Sequence, residues 1–177
     1  MDRSKILALS VAISLIAIAG VVRWSSGRGE PLKFMGAERV ALGEPGSEHS
    51  HSSLLIFING SSVDFSVPQF QEKNEHIHFE DSDGITIHKH AKGATLDLLL
   101  RSLGMELSSD CITLSDKSRL CTEGNKVLRS YLNREAFVDW ANYELRGGDK
   151  ILIDYGETNE VDLGLRLNAV PDLPEDL

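Results

Sequence analysis

Residues 76–90, HIHFEDSDGITIHKH, constrain this chain more than any other stretch. Side chains on a strand alternate between faces. His76, His78 and Glu80 therefore share one face, and Ile77 and Phe79 the other. Thr86, His88 and His90 likewise oppose Ile85, Ile87 and Lys89. The pattern predicts two half-buried strands of a hairpin. All six histidines of the chain lie in His-x-His pairs, the third being His49/His51 upstream.

The loop decides whether the two polar faces coincide. A two-residue Asp83-Gly84 turn would pair His78 with Lys89 and set the histidine pairs on opposite faces. A three-residue loop, Ser82-Asp83-Gly84, pairs His78 with His88 and His76 with His90, and puts Phe79 beside Ile87. Only the second register buries one apolar face on both strands, so it is the expected one, with Gly84 supplying the positive φ that such loops want. Opposed Cβ atoms are then about 5 Å apart, and histidines two apart on a strand about 6.5 Å. Such a frame can converge on an ion at about 2.0–2.1 Å. The expected ligands are His76, His78, His88 and His90, with His49 and His51 auxiliary and Glu80 a ligand or an outer acceptor. Imidazole with a carboxylate suits Cu(II) or Zn(II). The competing reading is a solvated face whose rings titrate near pH 6.5 and respond to acid. Cupins also carry His-x-His, but with a later carboxylate and a later lone histidine. Here Glu80 follows His78 by two and the later element is another pair, so cupin chemistry is not expected.

The N-terminus is of another kind. Ile6–Val22 is a 17-residue run without charge, after Arg3 and Lys5. It reads as a short membrane-spanning anchor, with a signal peptide cleaved near Ala17-Ile18-Ala19 as the alternative. The domains expected are an anchor or signal over 1–24, a Gly-, Ser- and Pro-containing linker over 25–50, a histidine-rich domain over 51–156 and an acidic tail over 157–177. Arg23, Arg28, Lys33 and Arg39 follow the run, so the count of flanking positive charges opposes an outward-facing domain. The basic head and the two cysteines favour one.

Within the domain, SLLIFINGSSVDFSV reads as two strands about Asn59-Gly60. TLDLLLRSLGM reads as a helix capped by Thr95, with an apolar stripe of Leu96, Leu99, Leu100 and Leu103, ended by Gly104. Cys111 and Cys121 flank a predicted hairpin about Asp116-Lys117, at opposed positions that suit a disulfide. KVLRSYLNREAFVDW repeats the strand–turn–strand pattern with Asn133-Arg134 as its turn. Lys150–Tyr155 reads as a closing strand after Gly147-Gly148-Asp149. A short helix is expected near Val161–Leu167. The fold class is α+β: one mostly antiparallel sheet with a single packed helix.

After residue 25 there are 26 acidic and 15 basic residues, a net charge of −11. A chain so acidic lacks the basic stripe that nucleic acid requires.

The turn followed by KILIDYG resembles the end of ubiquitin-like β-grasp domains, although their carrier role needs a terminal Gly-Gly and here the pair is internal. The pieces HSHSSLLIFINGSSVDFS, HIHFEDSDGITIHKHAKGATLDLLLRSLGM, the Cys-x9-Cys pair and YELRGGDKILIDYG resemble a group of small archaeal proteins with one N-terminal membrane anchor. Some of that group carry the label protein-disulfide isomerase. That resemblance implies an envelope protein working through Cys111 and Cys121, although the Cys-x-x-Cys spacing that lowers a thiol pKa is absent here. The functional expectations are therefore an extracytoplasmic metal-binding domain, an envelope thiol–disulfide protein, or an interaction module with an envelope partner and pH-sensing histidines. No catalytic residue is assigned.

Overall fold

Two runs of consecutive apolar residues build the centre. β1 (Ser50–Ile58) and β10 (Lys150–Gly156) lie side by side and parallel, Leu54 opposite Ile151 and Ile56 opposite Ile153. Continuous apolar runs suit strands covered on both faces. The computed structural model describes residues 41–173. The expected anchor over 1–24 lies outside them. Among the described residues no helix is long and apolar enough to cross a membrane.

Antiparallel strands flank the central pair. β4 (Thr86–Lys89) borders β1, and β3 (Ile77–His78) borders β4. On the other side β8 (Val127–Leu132) borders β10 and β9 (Glu135–Ala136) borders β8. β2 (Ser61–Ser62) folds back on β1. The order is β3-β4-β1-β10-β8-β9. Both expected two-residue turns form, with positive φ at Asn59 and Gly60 and at Asn133 and Arg134.

α1 (Leu96–Ser102) is the expected helix. Thr95 Oγ1 accepts from the Leu98 amide, Arg101 pairs with Asp97 one turn back, and Gly104 ends it at φ +74°. Leu96, Leu99 and Leu100 are fully buried with Leu54, Ile56, Ile77, Phe79, Ile87, Ile151 and Ile153 in the main core.

Three expectations need correction. The short helix expected near Val161–Leu167 forms as α2 (Glu160–Ala169), capped by Asn159, but it packs on the opposite face of the sheet, so a second packed helix stands where a single one was expected. Its Leu163 and Leu167, with Val170 beyond, meet Leu55, Phe57, Tyr131 and Leu152. The fold is thus α+β with two helices. The cysteine hairpin does not join the main sheet. β5 (Glu106–Leu107), β6 (Cys111–Thr113) and β7 (Arg119–Cys121) form a separate three-stranded sheet, because β6 pairs with the chain that leaves α1. Cys111 and Cys121 are directly opposed and disulfide-bonded, as expected.

The third correction concerns Gly84. The register is the expected one: His78 faces His88, and the His90 amide donates to the His76 carbonyl. Positive φ falls on Asp81 and Ser82 instead of Gly84. Phe79 leaves β4 to bridge Gln71 and stacks on Phe65 at 4.9 Å. Gly84 is needed for space, since a Cβ there would lie 2.5 Å from the Ser66 nitrogen.

Gly84→Asn separates the two roles. Asn tolerates positive φ but not the close approach of backbone. We expect a loss of about 1–3 kcal/mol in urea unfolding, no smaller than that of Gly84→Ala. Wild-type stability in the Asn variant would return Gly84 to the role of a turn residue.

Candidate metal centre

Strand register places the histidines before any side chain chooses a rotamer. His78 on β3, His88 on β4 and His51 on β1 are directly opposed across three strands. One step further along, His90 is joined to His76 through its amide, and Ser50 opposite Lys89 sets His49 beside His90. The face is the one α2 covers. That cover ends where the Ser53 hydroxyl donates to the Pro171 carbonyl at 2.9 Å. Beyond Ser53 the same face is made of histidine.

The opposite side of β4 is held by a buried cation. Lys89 Nζ, with 3% of its side chain exposed, reaches Glu48 Oε2, Glu144 Oε1 and the Leu145 carbonyl, each at 2.8 Å. Burial alone would raise the Glu144 carboxyl, but Lys89 and the Gly93 amide hold it below its ordinary value. Glu48 immediately precedes His49, so this pairing also anchors the first histidine pair. Residues 43–49, at the end of the expected linker, are already hydrogen-bonded to the domain, with Gly46 and Glu48 amides donating to the His90 carbonyl. Lys89 on an apolar strand face was a legible signal that acids lie opposite. The identity of those acids was not.

Five rings meet. Centroids are 4.7 Å apart for His49/His51, 4.6 Å for His51/His88, 4.9 Å for His78/His90 and 5.1 Å for His49/His90. His76 is the exception: its ring enters none of these contacts among the described residues, and its amide donates to Asn74 Oδ1. β3 begins only at Ile77, so His76 sits where the strand has not yet taken up its alternation. Two groups of donors can each hold a metal ion, His49/His51/His88 and His78/Glu80/His90. Within each group the ligand atoms lie within 4.8 Å of one another.

Glu80 lies between them. Its Oε2 is 2.9 Å from His78 Nε2 and its Oε1 is 3.1 Å from His88 Nδ1. The His88 contact lacks hydrogen-bond geometry, which leaves that buried nitrogen without a hydrogen-bond partner. His78 Nδ1 lies 2.7 Å from the Asn74 carbonyl. Both nitrogens of His78 therefore face groups that only accept. A neutral imidazole has one N–H, so it can donate to only one of these two acceptors. An imidazole whose Nδ1–H is tied to a backbone carbonyl is the usual arrangement of a histidine ligand. Glu72, Asn74 and Glu75 line an open pocket with His78 and Glu80, which makes the approach acidic.

Burial lowers the His88, His51 and His90 pKa below the ordinary histidine value. Neighbouring rings add to it: His78 and His90 on His88, His88 and His49 on His51, and His78 and His49 on His90. The hydrogen bond from His78 holds the Glu80 carboxyl below its usual value. Near neutral pH His51, His88 and His90 are therefore unprotonated, beside the Glu80 carboxylate. No protein-family model, curated protein or solved structure matches the chain.

These shifts set a pH dependence. The unfolded chain binds protons on these three histidines more readily than the folded one, so acid favours unfolding. Their contribution is complete above about pH 6.5 and is lost as pH falls through that value toward the lowered folded pKa values. Urea unfolding in a chelator should show stability falling from pH 7.5 to 5.5, with a flatter profile in His51→Gln/His90→Gln. The Glu80 contribution is lost separately, below about pH 4.5. A profile flat between 7.5 and 5.5 in the wild-type chain would contradict the packing of these rings.

Proposed function

We propose that this chain is a membrane-anchored domain that binds a divalent transition ion, Zn(II) or Cu(II), on its histidine face. The observation that carries the reading is Glu80 set between His78 and the unpartnered His88 nitrogen, with His90, His51 and His49 around it. A tetrahedral ion with bonds of about 2.0–2.1 Å wants donors about 3.4 Å apart, so groups gathered within 4.8 Å need only small side-chain shifts. Borderline-soft nitrogen donors with one carboxylate suit Zn(II) and Cu(II) over Mg(II) or Ca(II). His76 has no place in this set.

The anchor rests on the uncharged run Ile6–Val22. An outward-facing domain agrees with the Cys111–Cys121 disulfide, a bond that persists in oxidising compartments. Cys111 is 6% exposed, which supports a structural bond over exchange chemistry. The strand order, with the first and last long strands parallel at the centre and an antiparallel strand on each side, supports a β-grasp assignment.

The test is metal content and affinity of the full-length chain purified without metal-affinity resin. We expect bound Zn(II) or Cu(II), and a Zn(II)-dependent gain in unfolding free energy of about 2.7 kcal/mol at a hundredfold excess over Kd. His78→Ala/His88→Ala should weaken binding at least tenfold, and His76→Ala should not. Absence of binding by the folded wild-type chain would refute the proposal.

A further inference from the structure

We propose that the histidine face is a two-ion centre, one ion held by His49, His51 and His88, the other by His78, Glu80 and His90, with the Glu80 carboxylate bridging them. This rests on the metal-binding reading and specifies its stoichiometry.

The two donor sets share no residue. β4 lies between β1 and β3 and divides its histidines. His88 turns to the β1 pair, with centroids 4.6 Å from His51. His90 groups with β3, 4.9 Å from His78, while the two β4 rings stand 6.3 Å from each other. His78 and His88, directly opposed in register, are also 6.3 Å apart. His49 and His90, 5.1 Å apart, bring the two sets side by side.

Glu80 joins the halves. One oxygen is 2.9 Å from His78 Nε2 in the second set, and the other is 3.1 Å from His88 Nδ1 in the first. Both separations lie near the edge of about 3.4 Å between ligands of a tetrahedral ion. Each oxygen is therefore placed beside a ring nitrogen of a histidine from a different set, which is the disposition of a bridging carboxylate. With it, the first ion gains a fourth donor. The second keeps three protein donors and an open position, next to the acidic pocket of Glu72 and Glu75. Two positive ions about 3.5–4 Å apart, as in two-metal sites, need nearby negative charge, and Glu80 supplies it between them.

The full-length chain, stripped with a chelator, is titrated with Zn(II) and its stoichiometry read by native mass spectrometry. The expected result is two ions in the wild type and one in each of His49→Ala and His90→Ala. His49 is exposed, so its replacement leaves the folded domain intact, as the unfolding midpoint will show. With Cu(II), the wild type at two equivalents should give a spin-coupled EPR spectrum, and either variant an isolated-ion spectrum. One ion in the wild type, or two retained in both variants, overturns the two-ion centre and leaves metal binding standing. Binding abolished in either variant indicates one shared site and also overturns it. No ion in the wild type overturns both readings.

Discussion

The position of β4 between two antiparallel neighbours governs the histidine face. Its polar residues must share a face with those of β1 and β3, because pleated strands in register present alternate residues together. Lys89 locks the choice. With its ammonium between Glu48 and Glu144 on the buried side, His88 and His90 have no alternative to the other. A slip of one residue would put imidazoles into the core and leave Glu48 and Glu144 without their cation. A buried charge left unpaired costs several kcal/mol, so this one ion pair protects the register of the whole site.

The same sheet face does two different jobs. Over Leu55, Phe57 and Leu152 it is apolar and covered by α2. Deeper in that cover, Asp154 is fully buried and pairs with Arg166 from α2 and Arg129 from β8, with the Arg166 guanidinium 5.0 Å over the Phe57 ring. Where the cover ends at Pro171, the strands continue, and the positions on that face are histidines, half-buried except for the exposed His49. An open face of leucines there would invite association. Histidines tolerate partial burial as neutral rings and remain available as ligands.

Electrostatics favour the arrangement in one direction. Burial and mutual proximity disfavour protons on His51, His88 and His90, and one carboxylate is placed where a positive centre is wanted. A proton satisfies one nitrogen at a time. A metal ion satisfies several at once, including the His88 nitrogen that otherwise has no hydrogen-bond partner.

Alternation alone determined much of this protein: the hairpin register, the common face of His78, His88 and His90, the burial of Phe79 with Ile87, the α1 stripe and the opposed cysteines. Each of these depends on neighbours close in sequence, where strand and helix periods act directly. Tertiary structure decided the rest. His49 and His51 became full members because β1 pairs with β4, a contact across some 35 residues that no local pattern encodes. His76 lies outside both donor groups, next to the start of β3, with its amide turned to Asn74. Gly84 proved to be a matter of room against Ser66, a backbone distant in sequence. α2 was legible as a helix but not as a cover for the sheet, since its partners are spread over three strands. On β4, His88 lies 4.6 Å from His51, and His90 lies 4.9 Å from His78 and 5.1 Å from His49. Packing settles that, and periodicity does not.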